Sequence, residues 1–206
     1  SLPAAIEGAF ARGSILVAAA GNANDDVANY APANCENVIS VGATGRDGKR
    51  APYSNYGAGV DVSAPGGNAA GDGGVVSTSN GGTQSATEPT YVGREGTSIA
   101  AAHVAAIAAR IMGQFPDSKP TDVHTVIVGR DAVRAFADSS CDIDPVKTCG
   151  SGIAQIAAVS GTPGVDMNIT VDDALIADGS TVAVGETVTV GSAALLSPGV
   201  GYREIS

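Results

Sequence analysis

Short, uninterrupted apolar runs alternate with helical stretches in the first part of this chain, and this alternation limits its fold more than any other feature. The runs are ILVAAA at 15–20, VISVGA at 38–43 and GVDVSA at 59–64, and VVSTS at 75–79 adds a fourth. Apolar runs of this length are typical of strands that are buried on both faces of a parallel sheet. We therefore expect an α/β fold with a mostly parallel sheet.

Three stretches between and after these runs have helical character. They are residues 3–12, 98–114 and 121–129, the last with Thr121 as a plausible N-terminal cap. The second stretch, SIAAAHVAAIAARIMGQ, is almost wholly small and apolar. A helix that is apolar on nearly every face is expected to be buried on nearly every face.

The composition and periodicity of the sequence change after Pro163. MNITVDDALIADGSTVAVGETVTVGS is rich in Val, Thr and Gly, has turn signals and lacks a helical period. This pattern predicts the start of a separate all-β domain. We place one α/β domain at 1–160, and a linker with the start of a β-sandwich-like domain at 161–206. Within the first domain, residues 66–95 are polar and Gly-rich and are expected to form a loop.

Charge and hydropathy exclude two classes of partner. The 206-residue chain has a net charge of −10 and a sequence pI of about 4.4. Nucleic-acid binding needs clustered Lys and Arg, so an acidic chain with only 16% charged residues is a poor candidate for it. No apolar run approaches the roughly 20 residues of a membrane span, and no basic amphipathic helix is present. The opening SLPAAIEGAF has no start Met and no signal-peptide pattern, which is what we expect of a processed or internal piece.

Two of the three cysteines enclose a short polar loop. Cys141 and Cys149 bracket CDIDPVKTC, a spacing that suits a disulfide and therefore an oxidising compartment. A metal site is the rival interpretation, but the loop has no second Cys pair and no His nearby. Cys35 is left over, which indicates a partner outside this chain or a free thiol.

The GTS at 96–98 opens the small apolar helix and raises two interpretations of Ser98. The first is a helix cap, a position where Ser is favoured. The second is a nucleophile, because a helix N-terminus supplies free N–H groups and partial positive charge to an oxyanion. A nucleophile needs a base. His103 lies about 140° around the helix from Ser98, so we expect it in the helix packing. His124 is assigned to the surface or to packing.

Asn22 is the candidate partner of Ser98. It follows the first apolar run in AAAGN. A Gly-Asn pair after a strand is often only a turn. It also lies where α/β folds place functional groups, at the carboxyl end of a strand.

Four blocks, in this order, resemble the subtilisin-like serine proteases, including secreted bacterial members and proteinase K. They are ILVAAAGN (15–22), NYAPANCENVISVGAT (29–44), YSNYGAGVDVSAPGG (53–67) and GTSIAAAHVAAIAA (96–109). CGSGIAQIAAV at 149–159 is a looser match. The resemblance covers about residues 3–160 and corresponds to the C-terminal half of a catalytic domain with a three-layer subtilisin-like fold.

The resemblance implies roles for particular residues. Ser98 matches the acylated nucleophile, and Asn22 matches the side-chain donor that binds the oxyanion beside the Ser98 N–H. One wall of the substrate specificity pocket matches Ala18, Ala19, Ala20 and Gly21. The catalytic Asp and His of the family lie before the matching segment, so the resemblance implies that the N-terminal half of the same domain supplies them.

The resemblance also implies a structural ion and a further disulfide, but no cofactor for catalysis. Proteinase K-like members hold a calcium ion at positions that match the carbonyls of Glu36 and Val38 and the carboxylate of Asp61. Glu36 stands where those enzymes have Pro, which alters the loop, and Asp61 alone would also suit a solvated strand end. In secreted relatives, a Cys just before the first helix pairs with the position of Cys35.

These features predict a secreted serine endopeptidase acting on protein or peptide substrates. The chain departs from the usual family pattern at Ile99, Ala102 and Ala106, so a catalytically inactive subtilase-like scaffold or binding protein is the alternative. A second alternative places the function in the β region after residue 163, as an adhesion or carbohydrate-binding domain.

Overall fold

The computed structural model describes residues 1–71, 73–83, 85–129, 133–137, 141 and 147–155, together with the backbone of four later strands. The chain divides into two compact units, Ser1–Ala158 and Val159–Ser206. The predicted domain boundary, between residues 160 and 161, lies close to this division. Among the described residues, no helix is both long and apolar enough to cross a membrane.

The first unit contains helices α1 (Leu2–Ala11), α2 (Thr97–Gln114) and α3 (Pro120–Val128). Its strands are β1 (Val17–Ala19), β2 (Ile39–Thr44), β3 (Val62–Pro65), β4 (Val75–Asn80), β5 (Pro89–Arg94), β6 (Val133–Arg134) and β7 (Ile153–Ala154). The main sheet has the order β1-β2-β3-β7-β6. Strands β1, β2, β3 and β7 are parallel, and only β6 runs antiparallel to its neighbour. The predicted α/β fold with a mostly parallel sheet is confirmed.

The centre of this sheet explains the uninterrupted apolar runs. All six residues of β2 are buried, and Val62, Ser63 and Ala64 of β3 are buried as well. Helix α2 packs across β1, β2 and β3. Because the central strands are covered, alternation of polar and apolar residues is absent from their sequences.

Helix α2 is less buried than its sequence predicts. One side of it is buried, through Thr97, Ala100, Val104, Ile107, Ala108 and Ile111. His103 is exposed, as are Ala102, Ala105 and Ala106, so the prediction of a helix buried on nearly every face, with His103 in its packing, was wrong. An apolar composition shows that a helix side could be buried, but it does not show that a neighbour covers it. The described residues cover only one side of this helix.

Helix α3 begins one residue earlier than predicted, and its cap is different. Lys119 is the N-cap residue and Pro120 opens the helix. The Asp122 carboxylate accepts the Lys119 N–H at 2.9 Å, which is one half of a capping box. Thr121 therefore lies inside the first turn, because the fixed φ of Pro120 already sets the helical start.

Strands β4 and β5 form a separate antiparallel hairpin. The interpretation of VVSTS as a fourth strand of the buried sheet was therefore wrong. Its partner, β5, lies inside the stretch that was expected to be a loop. The hairpin is largely exposed, with Val76 68% and Tyr91 73% accessible. The Ser and Thr residues that follow the two valines fit a strand facing solvent better than a buried one.

The second unit contains a four-stranded antiparallel sheet. Its strands are β8 (Val165–Val171), β9 (Ala174–Leu175), β10 (Val188–Ala194) and β11 (Arg203–Glu204), in the order β11-β10-β8-β9. This agrees with the β pattern expected after residue 163.

Candidate active site

Ser98 is the second residue of helix α2 and is exposed. Gly96 is the N-cap, and no side chain caps this helix, so the interpretation of Ser98 as a helix cap was wrong. The hydroxyl of Ser98 is therefore not used in capping. It lies in the first turn, where backbone N–H groups lack partners within the helix and the helix dipole favours negative charge.

Asn22 lies just beyond the carboxyl end of β1 and is held by the residue that precedes Ser98. Its Oδ1 accepts the Thr97 N–H at 2.9 Å and the Thr97 hydroxyl at 2.8 Å. These two donors fix the orientation of the amide, with its oxygen towards Thr97. The Nδ2 group, which can only donate, is left for another acceptor.

Ser98 and Asn22 border the same small space beside Gly96. A methyl group placed on Gly96 would lie 3.2 Å from Ser98 Oγ and 3.6 Å from Asn22 Nδ2. Gly96 has φ of 151°, in the region that favours glycine. The structure thus brings together a hydroxyl, an amide donor and a helix N-terminus, which are three of the groups that acyl transfer through a serine uses; a general base is the fourth.

Thr97 connects the two sides of this site, and the sequence alone does not single it out. Its side chain is fully buried. The Thr97 hydroxyl donates to Asn22 and accepts the Gly21 N–H at 3.1 Å. One residue therefore ties the loop after β1 to the start of α2. Its position between Gly96 and Ser98 in the GTS sequence was the available signal.

Tyr53 is a second residue that the sequence alone does not reveal. Its hydroxyl accepts the Gly96 N–H at 2.9 Å and donates to Gly67 O at 2.7 Å. Burial raises the pKa of Tyr53 to about 12, so the phenol keeps its proton and remains a donor at neutral pH. Tyr53 thereby holds the turn that leads into α2.

The two histidines of the chain lie away from Ser98. His103 Nδ1 is 2.9 Å from the carbonyl oxygen of Ile99 on its own helix. His124 contacts Asp61, which immediately precedes β3 and so lies at the amino end of the parallel strands. Asn22 follows the carboxyl end of β1, at the opposite edge of the sheet. A base for Ser98 is therefore not found among the described residues.

Comparison with known proteins identifies the family of this chain. The profile of the Subtilase family matches residues 1–152. The chain belongs to the subtilase family. The matched segment includes Ser98 and Asn22, and it ends close to the boundary of the first unit.

Named proteases are among the proteins similar to this subtilase. It is 39% identical over 163 residues to an extracellular protease of Xanthomonas campestris pv. campestris, covering 76% of this chain and 26% of that protein. It is 45% identical over 100 residues to an extracellular basic protease of Dichelobacter nodosus, covering 48% of this chain and 16% of that protein. The chain thus spans about a quarter or less of the length of these relatives.

A solved structure gives the same fold. A protease from Pseudoalteromonas arctica PAMC 21717 superimposes with a TM-score of 0.69 at 40% identity, covering 76% of this chain and 45% of that chain. The expected subtilisin-like fold class is therefore confirmed for the first unit.

The predicted wall of the substrate pocket lies on and just after β1. The side chains of Ala18 and Ala20 are buried in the protein, whereas Ala19 and Gly21 are half-buried. Of these four residues, Ala19 and Gly21 are the ones that can contact a substrate side chain. Their role in this subtilase stays a prediction.

The residues implied in calcium binding line one cavity of about 470 Å³, which includes Glu36, Val38, Asp61 and His124. The carboxylate of Asp61 already has two protein contacts. Its Oδ2 accepts the Ser40 N–H at 2.8 Å, and its Oδ1 lies 3.6 Å from His124 Nε2. The three expected residues line the same cavity, and carbonyl and carboxylate oxygens are the ligands that calcium prefers, so this set of residue groups suits the ion. A cation bound by Oδ1 would replace the His124 contact.

The His124–Asp61 contact predicts a pH-dependent stability. Asp61 raises the pKa of His124 above its usual range, and this effect outweighs the opposing effect of partial burial. A raised folded-state pKa contributes stability below the unfolded value of about 6.5, and that contribution is lost as pH rises through the folded value. In buffer with a chelator, His124→Gln should lower Tm at pH 5.5 and have no effect at pH 9. An equal change in Tm at both pH values would contradict this assignment.

Cys141 and Cys149 form the disulfide that their spacing predicts, with Cα atoms 5.4 Å apart. Cys35 is unpaired among the described cysteines and is half-buried beside the same cavity. Its pairing with a cysteine before the first helix stays a prediction.

Proposed function

We propose that the protein containing this chain is a secreted serine endopeptidase that cleaves peptide bonds through an acyl-enzyme on Ser98. The observation that carries this proposal is the shared space bordered by Ser98 Oγ and Asn22 Nδ2 at the start of α2. The names of the similar proteins support the same reaction. Protein or peptide chains are the proposed substrates.

In the proposed reaction, each of these groups has a distinct role. Ser98 Oγ attacks the substrate carbonyl while a histidine removes its proton, and an oxyanion develops on the former carbonyl oxygen. The Ser98 N–H and Asn22 Nδ2 donate to that oxyanion. The intermediate expels the amine, which takes the proton from the histidine, and leaves an ester on Ser98. Water then hydrolyses the ester by the same steps in reverse order.

The histidine and its aspartate are proposed to come from residues that precede this segment, since subtilisin-type triads follow the order Asp, His, Ser. Two features favour such a neighbour. Strand β1 is the first strand of the sheet, so one of its edges has no strand partner in the described part of the chain. The exposed side of α2 includes the small apolar residues Ala102, Ala105 and Ala106. A further part of the domain packed there would bury this side.

The inactive-scaffold alternative rests on three departures from the family pattern. Ala102 and Ala106 are exposed on α2, and Ile99 is half-buried. None of their side chains takes part in the side-chain hydrogen bonds that join Asn22, Thr97 and Gly21. The departures therefore leave the described part of the site intact, and we propose the active peptidase.

Covalent labelling tests the proposal most directly. The protein that contains this chain and its preceding residues should react with a fluorophosphonate, and peptide mapping should place the adduct on Ser98. The residues described here, expressed alone, should not react, because they lack the base. If the longer protein is folded and neither reacts nor hydrolyses casein, the endopeptidase proposal is wrong.

We also propose an extracellular location. Two similar proteins are called extracellular, and the Cys141–Cys149 disulfide fits an oxidising compartment.

A bound calcium ion is also proposed, and it would stabilise the fold without taking part in catalysis. The carbonyls of Glu36 and Val38 with the carboxylate of Asp61 would hold the ion. At calcium concentrations near 100 times Kd, the folded state should gain about 2.7 kcal/mol, which raises Tm by roughly 5–10 °C. Asp61→Asn should remove this increase, whereas His124→Gln should keep it, because that change frees Asp61. An unchanged Tm on adding calcium, in both the unsubstituted protein and His124→Gln, would refute the site.

A further inference from the structure

We propose that Asn55 is a positioning residue for the oxyanion site, because it shapes the loop that carries Asn22. This inference rests on the proposed peptidase function. Asn55 lies in the SNYG sequence, far along the chain from Asn22, and its side chain is 1% exposed. It does not touch the reacting atoms. Its effect would pass through the backbone on both sides of Asn22.

The side chain of Asn55 is bonded to the loop at three points. Its Oδ1 accepts the N–H of Ala23 at 2.9 Å and the N–H of Asp25 at 3.1 Å. Its Nδ2 donates to the carbonyl oxygen of Ala20 at 2.8 Å. These three backbone groups lie before and after Asn22. A single buried amide therefore replaces the water or backbone partners that a turn of this kind would otherwise need.

The backbone of the loop packs directly against the Asn55 side-chain amide at Gly21. The Gly21 carbonyl accepts the Asn55 N–H at 2.9 Å. Gly21 has φ of 111°, and a methyl group placed on it would lie 2.3 Å from Asn55 Nδ2. The loop therefore contacts Asn55 with its backbone, and a side chain at position 21 would exclude the amide.

Asn22 is thus held in two independent ways. Thr97 holds its side-chain oxygen, whereas Asn55 holds the backbone on either side of it. An oxyanion donor is effective only within about 2.7–3.1 Å of the developing charge. A shift of about 1 Å in such a group can cost about 10²-fold in rate. Losing the Asn55 bonds would permit a shift of this kind without removing any group that touches the substrate.

A double-mutant cycle in the longer protein tests this role. Asn55→Leu, which is similar in size and has no hydrogen-bonding group, should lower kcat by about 10- to 100-fold and leave KM nearly unchanged. In an Asn22→Ala background, where no amide remains to be positioned, the same change should lower kcat by less than about 3-fold. Amide hydrogen exchange at Ala23 and Asp25 should become faster in Asn55→Leu.

Two further variants separate positioning from general stability. Ser63→Ala also removes a buried hydrogen bond, from Ser63 to the Cys149 carbonyl, but it does not touch the loop. It should lower Tm without changing kcat. Asn55→Asp keeps the two acceptor contacts to Ala23 and Asp25, but it replaces the donor to Ala20 by an oxygen that repels the Ala20 carbonyl unless the carboxyl group is protonated. Its kcat should lie between those of the unsubstituted protein and Asn55→Leu. If Asn55→Leu does not fold, Asn55→Asp replaces it in the double-mutant cycle.

The outcomes are distinguishable. A loss of kcat that is equal with and without the Asn22 amide would overturn the positioning role and leave the peptidase proposal standing. An unchanged kcat in folded Asn55→Leu would overturn it as well. Absence of activity in the folded, unsubstituted protein would instead overturn the proposed function and this inference with it.

Discussion

The Ser98→Ala variant of the longer protein is expected to have a kcat about 10⁶-fold lower than the unsubstituted protein, with KM little changed. The magnitude is the one known for loss of the nucleophile in subtilisin, a member of the same family. The physical reason is that Ser98 Oγ borders the space beside Gly96 and Asn22, whereas the nearby Thr97 hydroxyl is already bonded to Asn22 Oδ1 and the Gly21 N–H. The substrate would still bind, but no acyl-enzyme could form.

Hydrolysis of a chromogenic peptide and fluorophosphonate labelling measure this effect separately. Both should be lost in Ser98→Ala. Ser77→Ala is a suitable control, since it removes an exposed hydroxyl from strand β4 and leaves helix α2 unchanged. A small residual rate over water is expected, because the oxyanion donors remain. Retention of labelling in Ser98→Ala would show that another residue is the nucleophile.

The apolar runs predicted three central strands of the sheet but could not identify the hairpin. β1, β2 and β3 lie inside the predicted runs or within a residue of them. β4 was found as a strand and assigned to the wrong sheet. A short apolar stretch indicates that a segment is extended, but it does not say which strand it pairs with. Pairing of β4 with β5 depends on a return turn in a Gly-rich polar region, where periodicity is weak.

Helix α2 shows a related limit. Its length and start were predicted well, since small apolar residues follow GTS without a break. Which side is buried depends on the neighbours that the fold provides. His103 was placed in the packing because almost every residue around it is apolar. In the structure it is exposed, and its Nδ1 lies 2.9 Å from the Ile99 carbonyl oxygen on its own helix.

Some residues of the candidate site could be predicted from the sequence and others could not. Ser98 and Asn22 could be named from local motifs and from the family resemblance. The residues that hold them could not, because their contacts are distant in sequence. Thr97 bonds to Gly21 across 76 positions, and Asn55 bonds to Ala20 across 35. Polar residues of this kind have no periodicity, and only the folded chain shows which backbone groups they satisfy.

Replacing Asn22 by leucine is expected to lower kcat by about 10²–10³-fold and to change KM little. The range is the one measured for the oxyanion Asn of subtilisin. Leucine has a similar volume but cannot donate, so the developing oxyanion would keep only the Ser98 N–H. The substrate carbonyl carries little charge before attack, which is why the loss should fall on kcat. Asn29→Leu, at an exposed position of the same unit, is the matched control and should leave kcat unchanged.

Thr97→Val gives the decisive comparison for this assignment. Valine has nearly the shape of threonine but lacks the hydroxyl that donates to Asn22 Oδ1 at 2.8 Å and accepts the Gly21 N–H at 3.1 Å. The Thr97 N–H bond to the same oxygen remains, so Asn22 should be less well oriented but still present. We expect a loss of kcat smaller than that of Asn22→Leu, and almost no further loss when both changes are combined. Additive losses would mean that Thr97 acts on the reaction by a route other than Asn22.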